Sequence, residues 1–322
     1  DVDRPYHRPP LSKDFLRGET KRDDVFVHPT DWAREHGVEL RLGVHAARLD
    51  VHRRVVTLGD GEALHFDRLL LATGAWPRSL TIPGGDLDGV LMLRTLQDSA
   101  RLRAAAEGKR RAVVIGGGFI GAEVAASLTQ LGLEATVITR DAVLWEHLFG
   151  RQLAAVFQRT LAEHGVRIIN DDEATDIERA GDLKRVHTRG GQALEGDLVV
   201  AGVGVAPQTQ LAEGTALNVE HGIVVDQFLR TGQHGIYAAG DVARFYSPIY
   251  ERHLRVEHWD VAQQHGEVAG RTMAREAAGK TDELQPFDQP PYFFSDLFDL
   301  SMEYLGHNQG WDDVVPALVV AQ

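Results

Sequence analysis

The chain has 322 residues, 43% of them hydrophobic and 25% charged, which is the balance of an ordinary globular protein. Its formal net charge of -13 argues against a nucleic-acid surface, which needs clustered lysine and arginine, and is compatible with docking a basic partner or with simple solubility. Cysteine is absent, which excludes a disulfide, a cysteine-ligated metal or cluster and a redox-active cysteine pair from this chain.

The first part of the chain predicts loops followed by strands. Residues 1–30 are polar and proline-rich, and residues 38–66 hold short apolar runs in which Asp60-Gly61 predicts a hairpin turn. The apolar stretch 68–72 runs into Thr73-Gly74 and is typical of a strand buried on both faces. No apolar run approaches the roughly 20 residues that span a bilayer, so we expect no membrane association.

The middle of the chain alternates predicted strands and helices. The strands are predicted at 112–115, 135–138, 166–169 and 198–201, and the helices at 119–131 and 152–164. This order predicts a parallel sheet with right-handed crossovers. An antiparallel insert is expected over 175–196, strand and turn over 223–241, and a long helix over 260–278, before an aromatic and acidic C-terminal segment.

A glycine motif stands at the first of these strand–helix junctions. Gly116-Gly117-Gly118-Phe119-Ile120-Gly121 fits G-x-G-x-x-G directly after a predicted strand, which is the context of a dinucleotide site. Gly116 would permit the tight turn, Gly118 the approach of a pyrophosphate, and Gly121 close packing of helix on strand. The alternative is a glycine-rich turn in an ordinary strand–helix–strand unit.

The end of the second strand bears on the choice of nucleotide. An acid that binds the ribose 2′-hydroxyl is expected about 20 residues after the motif, and Thr139 and Arg140 stand there instead. A hydroxyl and a guanidinium would accept a 2′-phosphate, so we predict that NADPH is used at least as well as NADH. The alternative is that Arg140 is a solvated surface charge.

Five stretches, residues 4–13, 71–75, 116–123, 231–241 and 256–260, resemble the rubredoxin, putidaredoxin and dioxygenase-ferredoxin reductases and their apoptosis-inducing-factor-like relatives. The resemblance implies an α/β protein with two Rossmann-like domains of the glutathione-reductase type, one for FAD and one for NAD(P), and a partial α+β C-terminal domain. The implied divisions are 1–76 and 204–281 for the FAD domain, 77–203 for the NAD(P) domain and 282–322 for the last.

The same resemblance implies roles for individual residues. Arg8 and Lys13 would lie along the flavin, and Glu123 would face Lys13 across the nicotinamide site, with Lys13 and Glu123 as the catalytic pair. Asp241 would bind the ribityl or pyrophosphate region. The other implied cofactor contacts are Pro9, Val44, Thr73, Gly74, Phe119, Ile120, Gly202, Gly204, Gly240, Glu257, His258, Trp259 and Phe294.

Ordinary structural roles remain open for these residues. Lys13 could be a solvated loop lysine, Asp241 could cap a helix, and His258 and Trp259 could pack at a domain seam. The chain also departs from the family, because no strand with its own glycine motif precedes residue 1. The C-terminal domain stops early, and residues 312–320 would join two strands that are normally separated. We therefore expect a chain that is incomplete at both ends.

The expected activity follows from FAD and a nicotinamide cofactor. NAD(P)H would reduce FAD, and electrons would pass to a small iron–sulfur or rubredoxin-type acceptor. The protein would be a monomer or homodimer in the cytoplasm, with no nucleic-acid or membrane partner. The alternatives are an apoptosis-inducing-factor-like NAD(P)H sensor and a flavin-free NAD(P)-binding protein. We expect no metal site, because the spacing of His253, His258 and His265 fits no zinc pair on one helix face.

Overall fold

The computed structural model describes residues 1–308 and residue 310. Before the first strand the chain forms only short helical turns, which include α1 (Asp14–Arg17) and α2 (Trp32–Glu35). The strands that follow are β1 (Ala46–Asp50), β2 (Val55–Leu58), β3 (Ala63–His65), β4 (Leu69–Leu71) and β5 (Ala75–Pro77). The β2–β3 hairpin confirms the predicted turn at Asp60-Gly61. The prediction of strands from residue 38 is wrong up to residue 45, where exposed apolar side chains have no partner strand among the described residues.

The centre of the chain forms the predicted parallel sheet. Its strands are β6 (Val90–Leu91), β7 (Arg111–Ile115), β8 (Glu134–Ile138), β9 (Arg167–Ile169) and β13 (Leu198–Ala201), and its helices are α3 (Leu96–Ala106), α4 (Phe119–Gln130) and α5 (Glu146–Glu163). The strand order is β6-β13-β7-β8-β9, with all pairs parallel. Helix α5 begins earlier than predicted because a short turn precedes Gly150, whose non-helical φ of 73° kinks the helix.

Two smaller antiparallel units adjoin this sheet. The predicted insert is confirmed as β10 (Ala174–Ala180), β11 (Leu183–Thr188) and β12 (Ala193–Gly196), which pair in that order. Strand β14 (Val205–Pro207) pairs with β5, so the chain enters and leaves the parallel-sheet region side by side. Buried residues of β7, α4 and β13, such as Val114, Val124 and Val200, form the core of this region.

The next part of the chain returns to the first. It contains β15 (Ile223–Val225), β16 (Ile236–Ala238), β17 (Ala243–Ser247), β18 (Arg252–Leu254) and α6 (Trp259–Ala277). Because β16 pairs in parallel with β4, residues far apart in sequence share one core, which includes Leu71, Ile236 and Val261. Helix α6 confirms the long helix that was predicted from residue 260.

The described chain ends in a hairpin of β19 (Tyr292–Leu297) and β20 (Leu300–Leu305). Leu297 and Met302 of this hairpin join the core of the parallel-sheet region, so the hairpin packs against α4 and α5. The predicted joining of strands over 312–320 lies outside the described residues. Across the described part of the chain, no helix combines the length and apolarity needed to cross a membrane.

Candidate active site

The glycine motif forms the turn between β7 and α4 and leaves an open surface at Gly118. Gly116 has a φ of 107°, and a Cβ there would lie 2.3 Å from the carbonyl oxygen of Gly202. A Cβ at Gly121 would lie 2.1 Å from the carbonyl oxygen of Gly116, whereas a Cβ at Gly118 would have no heavy atom within 4 Å. Gly118 is the N-cap residue of α4, and no side chain caps the N–H groups of the first turn of this helix. The helix therefore offers uncapped N–H groups and space for a phosphate.

Thr139 and Arg140 follow β8 beside this turn, as predicted, but they differ in exposure. Thr139 is buried under Gly117 and accepts a hydrogen bond from the Asp141 N–H at 3.2 Å. Arg140 is exposed and makes no ion pair with any described residue. Of the two, only Arg140 has a side chain that can reach a group beyond the turn.

A buried ion pair joins the N-terminal segment to α4. Lys13 Nζ lies 3.1 Å from Glu123 Oε1, and the two side chains are 9% and 5% exposed. Ser295 of β19 donates to Glu123 Oε1 at 2.7 Å, and Ser12 donates to Oε2. Both carboxylate oxygens are thus engaged, by donors from segments on either side of α4. This arrangement lowers the cost of burying the charges, because each oxygen has a partner.

Aromatic side chains from the C-terminal hairpin and from the start of α6 lie beside the Lys13–Glu123 pair. Lys13 Nζ lies 5.0 Å from the centre of the Phe294 ring, and the Trp259 and Phe294 ring centres are 6.5 Å apart. His258 packs against Phe293 at 4.7 Å between ring centres. The predicted residues Lys13, His258, Trp259 and Phe294 are therefore brought to one place. Burial, followed by the nearby His307, lowers the pKa of His258 to about 4, so its ring is neutral at pH 7.

A second charged cluster surrounds Arg94. Its guanidinium donates to Asp241 Oδ2 at 2.8 Å, and its carbonyl oxygen accepts a 2.7 Å hydrogen bond from Arg8. Gly74 lies against it, since a Cβ there would be 3.4 Å from Arg94 Nη2. Burial and the charge of Arg94 lower the pKa of Arg8. Arg94 therefore links three of the predicted contacts, Arg8, Gly74 and Asp241.

The turn that carries Asp241 is hydrogen-bonded to a buried histidine of α6. Gly240 has a φ of 72°, and its N–H donates to His265 Nδ1 at 3.3 Å. His265 is 1% exposed between the rings of Phe245 and Phe287. Burial lowers the pKa of His265 to about 3, which keeps Nδ1 available as an acceptor.

Buried polar atoms without partners test whether this site fits a flavin. Arg94 Nε and His258 Nδ1 are among the buried side-chain atoms of the described residues for which no hydrogen-bond partner is found; others, such as Asp3 Oδ2 and Arg68 Nε, lie outside these clusters. Such atoms are rare in folded proteins and usually mark a missing ligand or water. Arg94 Nε and His258 Nδ1 belong to the clusters that the resemblance assigns to FAD, and the open face of Gly118 fits a second dinucleotide. The described residues fit FAD together with a nicotinamide cofactor, and no group of possible metal ligands is found among them.

The remaining predicted residues are distributed around these clusters. Thr73 donates to the carbonyl oxygen of Gln208 at 2.6 Å, and Glu257 pairs with Arg255. Val44 is 42% exposed and lies before β1. The structure places four further predicted residues as follows: Pro9 accepts from Lys13 Nζ at 3.5 Å, Phe119 packs on Phe293 at 4.7 Å between ring centres, Ile120 is 46% exposed, and Gly204 accepts from the Arg78 N–H at 2.9 Å.

Sequence reasoning missed Ser12, Ser295 and Arg94. Ser12 precedes Lys13 inside a matched stretch, and Ser295 follows Phe294, so adjacency to a predicted residue was the available signal. Arg94 had no signal, because it lies between β6 and α3 and reaches Asp241 only through the fold.

Comparison with known proteins agrees with this geometry. The model of the pyridine nucleotide-disulphide oxidoreductase family matches residues 1–266, and the chain belongs to that family. It is 36% identical to the ferredoxin–NAD(+) reductase component of the anthranilate 1,2-dioxygenase system of Burkholderia cepacia, over 94% of this chain and 73% of that protein.

A second sequence relative and a solved structure are also similar to nearly the whole chain. Putidaredoxin reductase of Pseudomonas putida is 32% identical, over 99% of this chain and 75% of its own. The crystal structure of the ferredoxin reductase for the CYP199A2 system from Rhodopseudomonas palustris superposes with a TM-score of 0.90 at 34% identity, over 98% of this chain and 76% of that one. The predicted family and fold class are confirmed.

Proposed function

We propose that this protein oxidises NADH or NADPH through FAD and passes the electrons to a small iron–sulfur or rubredoxin-type protein. The observation that carries the proposal is the buried Lys13–Glu123 pair, which lies where the N-terminal segment, α4 and the C-terminal hairpin meet. Relatives that match almost the whole chain are named as reductases of putidaredoxin, rubredoxin and ferredoxin, which supports this acceptor class.

The chain's own residues supply binding and electrostatics. FAD, when bound, accepts hydride from the nicotinamide and releases its electrons one or two at a time. Lys13 would place a buried positive charge beside the reducible ring, where it stabilises developing negative charge. Glu123 would keep Lys13 in position and face the nicotinamide amide, while Ser12 and Ser295 hold its carboxylate.

Two dinucleotides would bind on either side of this pair. Asp241, with its partner Arg94, would hold the ribityl or pyrophosphate region of FAD, and Arg8 would lie along the flavin. The glycine motif would hold the pyrophosphate of the nicotinamide cofactor. The absence of cysteine leaves no pair for disulfide reduction in this chain, so electrons must leave to an external acceptor. The predicted domain divisions at 76, 203 and 281, a cytoplasmic location and a monomer or homodimer belong to the same proposal.

The test is NADH oxidation by the flavin-loaded protein with and without an added ferredoxin or rubredoxin. We expect acceptor reduction to be coupled to NADH oxidation, and oxidation without acceptor to be slow. A long-lived reduced protein whose association state changes, with no reduction of either acceptor, would contradict the proposal and favour the NAD(P)H sensor.

A further inference from the structure

Trp145 occupies an unusual backbone position beside the glycine motif. Its φ of 67° lies in the left-handed region, which a bulky residue adopts only when its surroundings impose it. The constraints are visible, since its N–H donates to Asp141 Oδ2 at 3.4 Å and its carbonyl accepts from Leu148 at 2.9 Å and Phe149 at 3.1 Å. The side chain is only 1% exposed.

The indole of Trp145 is bonded to the motif itself. Its Nε1–H donates to the carbonyl oxygen of Gly117 at 2.8 Å, and both groups are buried. Gly117 is the variable position of G-x-G-x-x-G, yet a Cβ there would lie 2.5 Å from Leu144 and 2.7 Å from Thr139. Leu144, in the segment that carries Trp145, and Thr139, after β8, therefore lie so close to residue 117 that a side chain there would force them to shift.

The direction of this bond determines where the next N–H points. The Gly117–Gly118 peptide is trans, so the Gly117 carbonyl and the Gly118 N–H point in opposite directions. Because Trp145 holds the carbonyl on the buried side, the Gly118 N–H is directed to the exposed side, where a Cβ at Gly118 would meet nothing within 4 Å. That is the side on which a pyrophosphate would bind.

We infer that Trp145 is a positioning residue for the nicotinamide dinucleotide. Its indole fixes the Gly117–Gly118 peptide so that the Gly118 N–H is already aimed at the pyrophosphate before the ligand arrives. The inference rests on the proposed function, because it assigns the glycine motif to the nicotinamide cofactor. Preorganisation of this kind raises affinity by removing the cost of ordering the turn on binding.

The experiment separates the hydrogen bond from the packing of the ring. Replacing Trp145 with 3-benzothienylalanine exchanges the N–H for sulfur at nearly constant shape, and Trp145→Phe is the simpler second variant. The matched control is Phe157→Leu, which trims a ring 5.2 Å from that of Trp145 and leaves the bond in place. Binding of ADP-ribose to the flavin-loaded protein is measured by calorimetry, together with KM and kcat for NADH.

We expect loss of the N–H to weaken ADP-ribose binding and raise KM for NADH by about fivefold, the effect of one neutral hydrogen bond, with kcat and flavin content unchanged. Phe157→Leu should lower the melting temperature and leave both constants unchanged. Unaltered ADP-ribose affinity in both Trp145 variants would overturn the inference alone. Failure of the wild-type protein to bind ADP-ribose would overturn the proposed function as well.

Discussion

The glycine motif and the Lys13–Glu123 cluster are built in opposite ways. The motif is one continuous segment in which Gly121 packs against the Gly116 carbonyl, and Gly116 packs against Gly202, just after the adjoining strand β13. The cluster joins Ser12, Glu123 and Ser295, which lie 111 and 172 residues apart in sequence. The motif therefore forms within the parallel-sheet region, whereas the cluster exists only when the N-terminal segment and the C-terminal hairpin both dock on α4.

The difference also concerns what each region tolerates. In the motif, close backbone contact makes two glycines structural and leaves Gly118 free of protein contacts. In the cluster, every charged or polar group depends on another, so removal of one leaves the others buried without a partner. Mutations should therefore separate binding from stability in the motif and couple them in the cluster.

The largest effect is expected at Glu123. Glu123→Ala leaves the Lys13 ammonium and two serine hydroxyls buried without their acceptor, which should lower the free energy of unfolding by about 3–5 kcal/mol. Urea unfolding followed by circular dichroism measures it. The matched control is Glu134→Ala, because Glu134 is exposed and lies 3.9 Å from Arg110, and such surface pairs contribute about 0–1 kcal/mol. Equal losses in the two variants would show that the cluster is not coupled.

Two substitutions in the glycine motif should separate its structural glycine from its binding glycine. Gly121→Ala places a methyl group on the Gly116 carbonyl and should cost about 1–3 kcal/mol of stability. Gly118→Ala has room in the protein and should leave the melting temperature unchanged, while ADP-ribose affinity falls about tenfold or more, equivalent to a misfit of about 1.4 kcal/mol. If Gly118→Ala bound ADP-ribose normally, the open face would not be the pyrophosphate site.

A smaller, pH-dependent effect is expected at His265. Burial lowers its pKa from 6.5 to about 3, so between these values the unfolded chain takes up a proton that the folded chain does not. The contribution of His265 to the free energy of unfolding should therefore be fully present above pH 6.5, and it should be lost as the pH falls toward 3. His265→Gln, which keeps an acceptor for Gly240, should reduce the loss of melting temperature between pH 7 and pH 5. The exposed His52→Gln should not alter that loss, and identical pH profiles for all three proteins would contradict the assignment.

The smallest effect concerns the choice of nucleotide. Arg140 is exposed, so the predicted contact with a 2′-phosphate would be partly screened by water and salt. Arg140→Glu should shift the ratio of kcat/KM for NADPH to that for NADH toward NADH by about tenfold, which corresponds to about 1.4 kcal/mol. An unchanged ratio would mean that Arg140 is a surface charge with no part in selecting the nucleotide.

Much of the fold was predictable because its signals are local. Apolar runs and glycine spacing located the parallel sheet, α4 and the hairpin at residue 60. They did not predict α3 or the kink at Gly150, and they wrongly predicted strand structure before residue 46. The Lys13–Glu123 pair could be expected only from the family resemblance, since nothing in the spacing of two residues so far apart brings them together. Arg94 could not be predicted at all, because its partner Asp241 is 147 residues away in sequence and becomes a neighbour only in the folded chain.

The most direct test of the account is the rate at which NADH bleaches the visible flavin absorbance under anaerobic conditions, in wild type and in Lys13→Met of equal flavin content. Lys13 is the only charge of the pair that can stabilise the reduced ring, so we predict rapid bleaching in wild type and a rate about 100-fold lower in the variant. Equal rates in the two proteins, or a wild-type protein that takes up no flavin, would contradict the central claim.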